Sequence, residues 1–414
     1  MRILFVPMPM PTHYLSMVPL AWAFRAAGHE VRFAAQPAVA DAIRRSGLTG
    51  APVGGGYDFA AAIAERRRAR RESGEPLTPD MVAAMSDAER RAVKERMFTP
   101  QVKAAEAIAD GLVAYARRWR PELVVADPLA LAGPLAAAAA GAPLVRHLWG
   151  PDVIGAMGFP GRGLATDQWP DPLLRLYGAH GVEPAADYAV RTVDICPPSL
   201  RAATGPERLP MRFVPYNGPG IEPEWAAGSG RRRVCVTWGM SASAVGGREG
   251  FLVPWILAGL AEFDVEIVLA IKAADRALLG DLPPGTLVAE EVPLHLLLPS
   301  CDAIVHQGGG GTLLTAAALG VPQLIVTNSG DQTFNARLLT ATGAAVSVHA
   351  EDAADGLLKE TAARLLHDDA EALRAAADVL RAEIQAQPAP AEVAAALASV
   401  TASMPASVPA SQPA

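Results

Sequence analysis

Four consecutive glycines, Gly308 to Gly311, stand between His306 and Thr312, and Asp331 and Gln332 follow twenty residues later. Main-chain amides bared of Cβ atoms let an anion approach closely. A helix opening near Thr312 would add about half a positive charge at its N-terminus. Such a turn fits a phosphate or diphosphate, with the Thr312 hydroxyl as a further donor and the His306 ring reaching a phosphate oxygen from its strand end. On the glycines alone, a tight strand-to-helix turn that merely needs room explains the run equally well. Asp331 and Gln332 join an anionic acceptor to a mixed donor-acceptor amide, a pairing that suits vicinal sugar hydroxyls. Asp331 has a second reading as the cap of the following helix. A sugar attached to a diphosphate satisfies all of these groups together.

Several other phosphate chemistries are excluded. Gly311 is followed by Thr312-Leu313 and not by Lys-Ser or Lys-Thr, so the run is no P-loop. The glycines are contiguous and lie late in the chain, which argues against NAD or FAD. No Asp-x-Asp occurs to hold a metal-bridged diphosphate, and the three cysteines, Cys196, Cys235 and Cys301, form no zinc-like cluster. The expectation is no metal and no cofactor, a nucleotide sugar being a substrate.

Moving a sugar onto an acceptor with inversion needs a base on the face opposite the leaving diphosphate. His13 is the candidate. It follows the first expected strand, in a loop ahead of a helix expected over 16–27, and a neutral imidazole accepts a hydroxyl proton near neutral pH. Asp127 ends a strand expected over 123–126 and either orients that imidazole or caps the next helix.

These residues need a scaffold that brings distant strand ends together. The chain has 414 residues, 51% of them hydrophobic and 19% charged, enough for about two packed cores. Apolar runs alternate with helical patterns twice over, as in parallel sheets covered by crossover helices. In the first half, strands are expected at 3–6, 30–34, 123–126 and 143–147. In the second they are expected at 233–238, 265–271, 286–289, 303–306 and 323–326. The fold class is α/β, two Rossmann-like parallel-sheet domains facing across a cleft. The first spans 1–217, a Pro- and Gly-rich linker 218–232, and the second 233–385. A C-terminal helix over 386–400 and an Ala-, Ser- and Pro-rich disordered tail over 401–414 follow.

A net charge of −7 gives no general attraction to nucleic acid or anionic lipid. The one basic run, Glu65 to Glu72, is bracketed by carboxylates and reads as a solvated helix face. No stretch reads as a membrane span or a signal peptide, which with the cysteine usage points to a soluble cytoplasmic protein. His29, His147 and His295 read as structural. Met8, Met10, Tyr14, Met17, Trp149, Met157, Phe159 and Trp169 are either core or the wall of an apolar acceptor pocket.

The order His-x-Gly-x-Gly-Thr at 306–312, Gly-x-Pro-Gln at 320–323 and Asp-Gln-x-x-Asn-Ala at 331–336 resembles the donor signature of GT-B family 1 glycosyltransferases. It is most similar to the bacterial enzymes that attach deoxysugars to polyketides and related natural products. Pro11-Thr12-His13 with Pro19, Ala-Gly-His-Glu-Val at 27–31 and the segment Pro215 to Gly220 fit the same family. The resemblance implies that His306 and Gly309 to Thr312 hold the nucleotide diphosphate, bordered by Gly239 and Ser241. Val292 would meet the base through its backbone, and Asp331 and Gln332 the sugar. Gln307 stands where the family often has His or Gly, and its side chain is expected to turn away from the diphosphate. The implied partners are a TDP- or UDP-sugar donor and a small hydrophobic acceptor. Transfer to oxygen or carbon, a sugar-nucleotide epimerase of the same fold, a catalytically silent auxiliary protein, and a homodimer stay open.

Overall fold

The structure, a computed structural model, describes residues 1–72, 85–202, 208–228, 230–240, 246–247, 250–328, 330–352 and 356–403. Ser241, among the expected diphosphate neighbours, and residues 404–414 of the expected tail lie outside them.

The first sheet contains β1 (Arg2–Val6), β2 (Glu30–Ala35), β3 (Gly50–Pro52), β4 (Leu123–Ala126), β5 (Leu144–His147), β6 (Ala189–Asp194) and β7 (Arg208–Pro210), all parallel, in the order β3-β2-β1-β4-β5-β6-β7. The second contains β8 (Arg233–Thr237), β9 (Glu266–Ile271), β10 (Leu287–Glu290), β11 (Ala303–His306), β12 (Gln323–Thr327) and β13 (Ala345–His349), also parallel, in the order β10-β9-β8-β11-β12-β13. The central strands are apolar through their middle residues because helices cover both faces. Ile3, Leu4, Phe5, Val124, Val125, Val234, Val236, Ile304 and Val305 have no exposed surface.

In both sheets the strand order reverses beside the first strand, between β1 and β4 and between β8 and β11. Ligands bind at such switch points, beyond the carboxyl ends of the strands. The two candidate clusters lie there: His13 and Asp127 follow β1 and β4, while Gly239 and the glycine run follow β8 and β11.

In the first domain the helices are α1 (Pro11–Ala26), α2 (Pro37–Arg45), α3 (Phe59–Glu72), α4 (Asp87–Trp119), α5 (Gly133–Ala140), α6 (Val153–Met157) and α7 (Asp171–Ala179). The second domain has α8 (Val253–Leu260), α9 (Leu294–Leu297), α10 (Gly310–Leu319), α11 (Gly330–Ala341), α12 (Leu357–Ala363) and α13 (Ala370–Gln385). The chain ends in α14 (Pro390–Ser403). That last helix starts four residues later than the sequence predicts and includes 401–403 of the expected tail. Residues 387–388 first cross to the other domain, where Gln387 Nε2 donates to Cys196 O at 2.9 Å and Pro388 O accepts from Arg212 N at 2.8 Å. Pro390 then opens the helix, where its missing N–H costs nothing. Val393, Ala394 and Leu397 pack into one cluster with Leu20, Ala21 and Phe24 of α1. Full burial stabilises by roughly 1.5–3 kcal/mol for each large aliphatic side chain, so α14 straps the second domain to the first.

Among the described residues, no helix is long and apolar enough to cross a membrane.

Candidate active site

Pro11 sits at the first position of α1, so the helix begins five residues earlier than expected and His13 lies on its first turn, not in a loop. The proline fixes its own φ, and the preceding Met10 is extended, which launches the helix directly from the end of β1. Asp127 N–H donates to Val6 O at 3.0 Å, continuing the β1–β4 ladder one residue past the end of β4. This register brings the two side chains together: His13 Nδ1 lies 2.7 Å from Asp127 Oδ2, and both residues are buried. The other carboxylate oxygen, Oδ1, accepts from Leu129 N–H at 2.8 Å. Asp127 therefore contacts the imidazole and stabilises the turn after β4, but it does not cap the next helix, whose N-cap is Ala132. An ionised carboxylate accepts only, so Nδ1 is the donor in this contact, and in the neutral imidazole the lone pair is then on Nε2.

One wall of this site is the loop after β5. The Trp149 ring lies 4.3 Å from the His13 ring, centroid to centroid. The loop is pinned by Asp152, which accepts from Gly155 N–H at 2.8 Å and from the guanidinium groups of Arg162 and Arg208. Arg208 also pairs with Asp194. Nothing in the local sequence pattern marks this buried ionic network, because its members come from four separate elements.

Across the cleft the glycine turn is tighter than expected, since α10 already starts at Gly310 with Gly309 as its N-cap. Each glycine has its own reason. Gly308 has φ +91°, and a Cβ there would stand 2.9 Å from Ile325 Cγ2. A Cβ on Gly309 would stand 2.8 Å from Gln307 Nε2. On Gly310 it would stand 3.3 Å from Gly150 Cα and Trp149 O of the first domain. Only Gly311 faces open space. The alternative of a turn that needs room thus accounts for Gly308 and Gly310, whereas at Gly309 a Cβ would meet only the end of a flexible side chain. The first helical bond closes from Leu313 N–H to Gly309 O at 3.0 Å, so the amides of Gly310, Gly311 and Thr312 have no carbonyl one turn back.

His306 needs correcting. It has no exposed surface, its Nδ1 accepts from Gly308 N–H at 3.0 Å, and its Nε2–H donates to Gln323 Oε1 at 2.9 Å. Gln323 Nε2 in turn donates to Leu313 O at 3.1 Å. Both ring nitrogens are engaged inside the protein, and burial pushes the pKa down to about 4, so the ring is neutral. His306 shapes the turn and does not reach a phosphate oxygen. Gln307 needs the opposite correction. Its buried amide points inward, between the two loops assigned to the diphosphate, and a Cβ on Gly239, whose φ is +69°, would collide with Nε2. Among the described residues no donor reaches Gln307 Oε1.

Asp331 lies exposed in the first turn of α11, whereas Gln332 is buried, its Oε1 accepting from Asn328 N–H at 3.0 Å. Asn335, to which the sequence reading assigned no role, donates from Nδ2 to Gly308 O at 2.9 Å and props the turn from behind. Val292 follows Glu291, a non-glycine residue at φ +56° whose carboxylate accepts from Ala273 N–H at 3.1 Å. Strained backbone of this kind is concentrated at ligand clamps. Asn217, the residue before the linker, bonds to the second domain: Nδ2 donates to Thr315 Oγ1 at 3.1 Å and Oδ1 accepts from His295 N–H at 3.2 Å. Of the apolar acceptor candidates, Met8, Tyr14, Met17, Phe159 and Trp169 are buried core, while Met10 and Trp149 are half-buried and Met157 is exposed.

Two facing switch points, one with a buried His–Asp pair and one with an open helix N-terminus, make up the candidate site. Residues 22–239 match the N-terminal domain, and residues 254–400 the C-terminal domain, of the erythromycin biosynthesis protein CIII-like proteins. The chain belongs to this family. Tylactone mycaminosyltransferase of Streptomyces fradiae is 38% identical to this CIII-like chain, covering 94% of it and 90% of the relative. TDP-daunosamine transferase DnrS of Streptomyces peucetius is 37% identical, covering 95% of each. Spinosyn rhamnosyltransferase SpnG complexed with thymidine diphosphate superposes with a TM-score of 0.77 at 33% identity, covering 96% of this chain and 100% of that one. SnogD from Streptomyces nogalater gives 0.74 at 34%, covering 97% and 99%. The CIII-like chain is a family 1 glycosyltransferase of GT-B fold, and the alternatives of an epimerase or a silent auxiliary protein give way to that.

Proposed function

We propose that this CIII-like glycosyltransferase moves a deoxysugar from a TDP-sugar to a hydroxyl of an apolar natural-product aglycone, with inversion and without a metal ion. The observation that carries this reading is the buried 2.7 Å contact of His13 Nδ1 with Asp127, at the strand ends that face the glycine turn. The relatives' names support the donor and acceptor classes, since one is a TDP-daunosamine transferase and another structure holds thymidine diphosphate.

In this scheme the acceptor O–H gives its proton to His13 Nε2 as its oxygen bonds to the anomeric carbon. The bond from that carbon to the diphosphate oxygen breaks on the opposite face, and TDP leaves. Asp127 holds the imidazole in the tautomer that exposes Nε2 and stabilises the cation that forms. Charge on the departing diphosphate is met by the amides opening α10 and by the Gln307 carboxamide, fixed dipoles in place before reaction. Asp331 and Gln332 receive the sugar, and the Val292 backbone the base.

The test is product mass spectrometry with a panel of TDP-sugars and macrolide or polyphenol acceptors, followed by His13→Ala. Removing a general base lowers turnover by roughly 10²- to 10⁴-fold while TDP affinity stays unchanged. Unaltered turnover would remove His13 from the mechanism.

A further inference from the structure

The basic run read from the sequence as a solvated face does not lie apart from the site. Helix α3 is anchored in the first domain by buried Phe59 and Ile63, and Arg66 Nη1 donates to Met97 O at 2.6 Å on α4. The next residue, Arg67, crosses the cleft: its Nη2 lies 4.0 Å from Asp331 Oδ1 on α11 of the second domain. The Arg67 side chain is about one-third exposed (32%) and that of Asp331 more than half (59%), so the pair reaches solvent.

We propose that Arg67 determines which donor sugars bind, by excluding those that carry a protonated amino group near Asp331; this rests on the reading in which Asp331 meets the sugar. A carboxylate alone in a sugar subsite attracts a sugar ammonium as readily as it accepts hydroxyl hydrogen bonds. A guanidinium 4.0 Å away changes that balance. A neutral hydroxyl donates to Asp331 and can accept from Arg67, satisfying both, whereas an ammonium has no acceptor to offer and meets a like charge at close range. The subsite is thus built for neutral deoxysugars. Arg67 belongs to the domain opposite the donor motif, so it reads the sugar only when the two domains face each other as they do here.

The experiment measures the affinity of the full chain for matched TDP-6-deoxyhexoses that carry either a hydroxyl or an amino group at C3 or C4, by calorimetry at neutral pH. The wild type binds the hydroxyl donor roughly tenfold more tightly than its amino counterpart at one of these positions. Arg67→Gln brings that ratio close to one with TDP affinity unaltered, and Arg67→Lys, which keeps the charge, preserves the preference. An amino donor bound as tightly as its partner by the wild type, or a ratio that Arg67→Gln leaves untouched, overturns the proposal. Asp331→Asn separates the two readings. If it weakens hydroxyl donors while Arg67→Gln does nothing, only the Arg67 assignment fails; if it weakens no TDP-sugar relative to TDP, the sugar subsite itself is misplaced.

Discussion

Gly150 and Gly310 meet backbone to backbone across the two domains, so closely that a Cβ on Gly310 would stand 3.3 Å from the Gly150 Cα. The residue before Gly150 is Trp149, whose ring lies against His13, and the residue after Gly310 is Gly311, which faces open space. This glycine contact is therefore the point of closest approach between the loop beside the His–Asp pair and the helix end that would hold the diphosphate.

This makes the glycines separable by substitution. Gly311→Ala meets no protein atom and leaves stability within about 0.5 kcal/mol of wild type, but its methyl group occupies the ligand's approach and weakens TDP binding by about tenfold. Gly308→Ala forces a left-handed φ and a clash with Ile325, so it destabilises by at least about 1–2 kcal/mol. Gly310→Ala lowers turnover more than it lowers TDP affinity, because it pushes on the Trp149 loop. Calorimetric titration of TDP and urea unfolding of the three variants distinguish these outcomes; equal effects of Gly308→Ala and Gly311→Ala on stability would contradict them.

Gln307 is expected to contribute to donor binding in spite of its departure from the usual family residue. Gln307→Ala should weaken TDP by about 1–2 kcal/mol, and Gln307→Glu by more, since a carboxylate would face the diphosphate. If TDP affinity in both variants equals that of wild type, the inward amide plays no part in binding.

Asp127→Asn keeps the shape of the pair but removes the charge that fixes the His13 tautomer. Turnover should fall by roughly 10²- to 10⁴-fold with the TDP dissociation constant unchanged. Steady-state kinetics beside calorimetry decide this, and a variant that loses affinity without losing turnover would reduce Asp127 to its turn-stabilising bond with Leu129.

Burial holds both His306 and His147 at a pKa of about 4, below the ordinary value near 6.5. Between those values the unfolded chain binds protons that the folded chain refuses. The stability these residues confer is complete above pH 6.5 and is lost as pH falls towards 4. The slope is about 1.4 kcal/mol per pH unit for each histidine. Urea midpoints measured from pH 7 to 4.5 should fall accordingly, and His306→Asn should remove about half of the dependence.

The parallel strands flanking both switch points were legible because strands buried on both faces are written as unbroken apolar runs. The sites were legible where chemistry is written locally, as in the glycine run. What escaped is non-local. The start of α1 was masked because Pro11-Thr12-His13-Tyr14 shows no apolar periodicity, although a proline opens the helix. The inward, fully engaged position of His306 depends on Gln323, a residue on the neighbouring strand. Arg67 lies far from Asp331 in sequence, and a charged run carries no sign of which element it will face. The Arg162–Asp152–Arg208–Asp194 network was invisible for the same reason.

The most direct measurement is a crystal structure of the full chain with thymidine diphosphate. The β-phosphate should lie within hydrogen-bonding distance of the amides of Gly311 and Thr312 and of Gln307 Nε2, with His13 Nε2 facing it across an open gap. A diphosphate bound away from the start of α10, or an imidazole cut off from that gap, would contradict the assignment of donor and base to the two facing switch points.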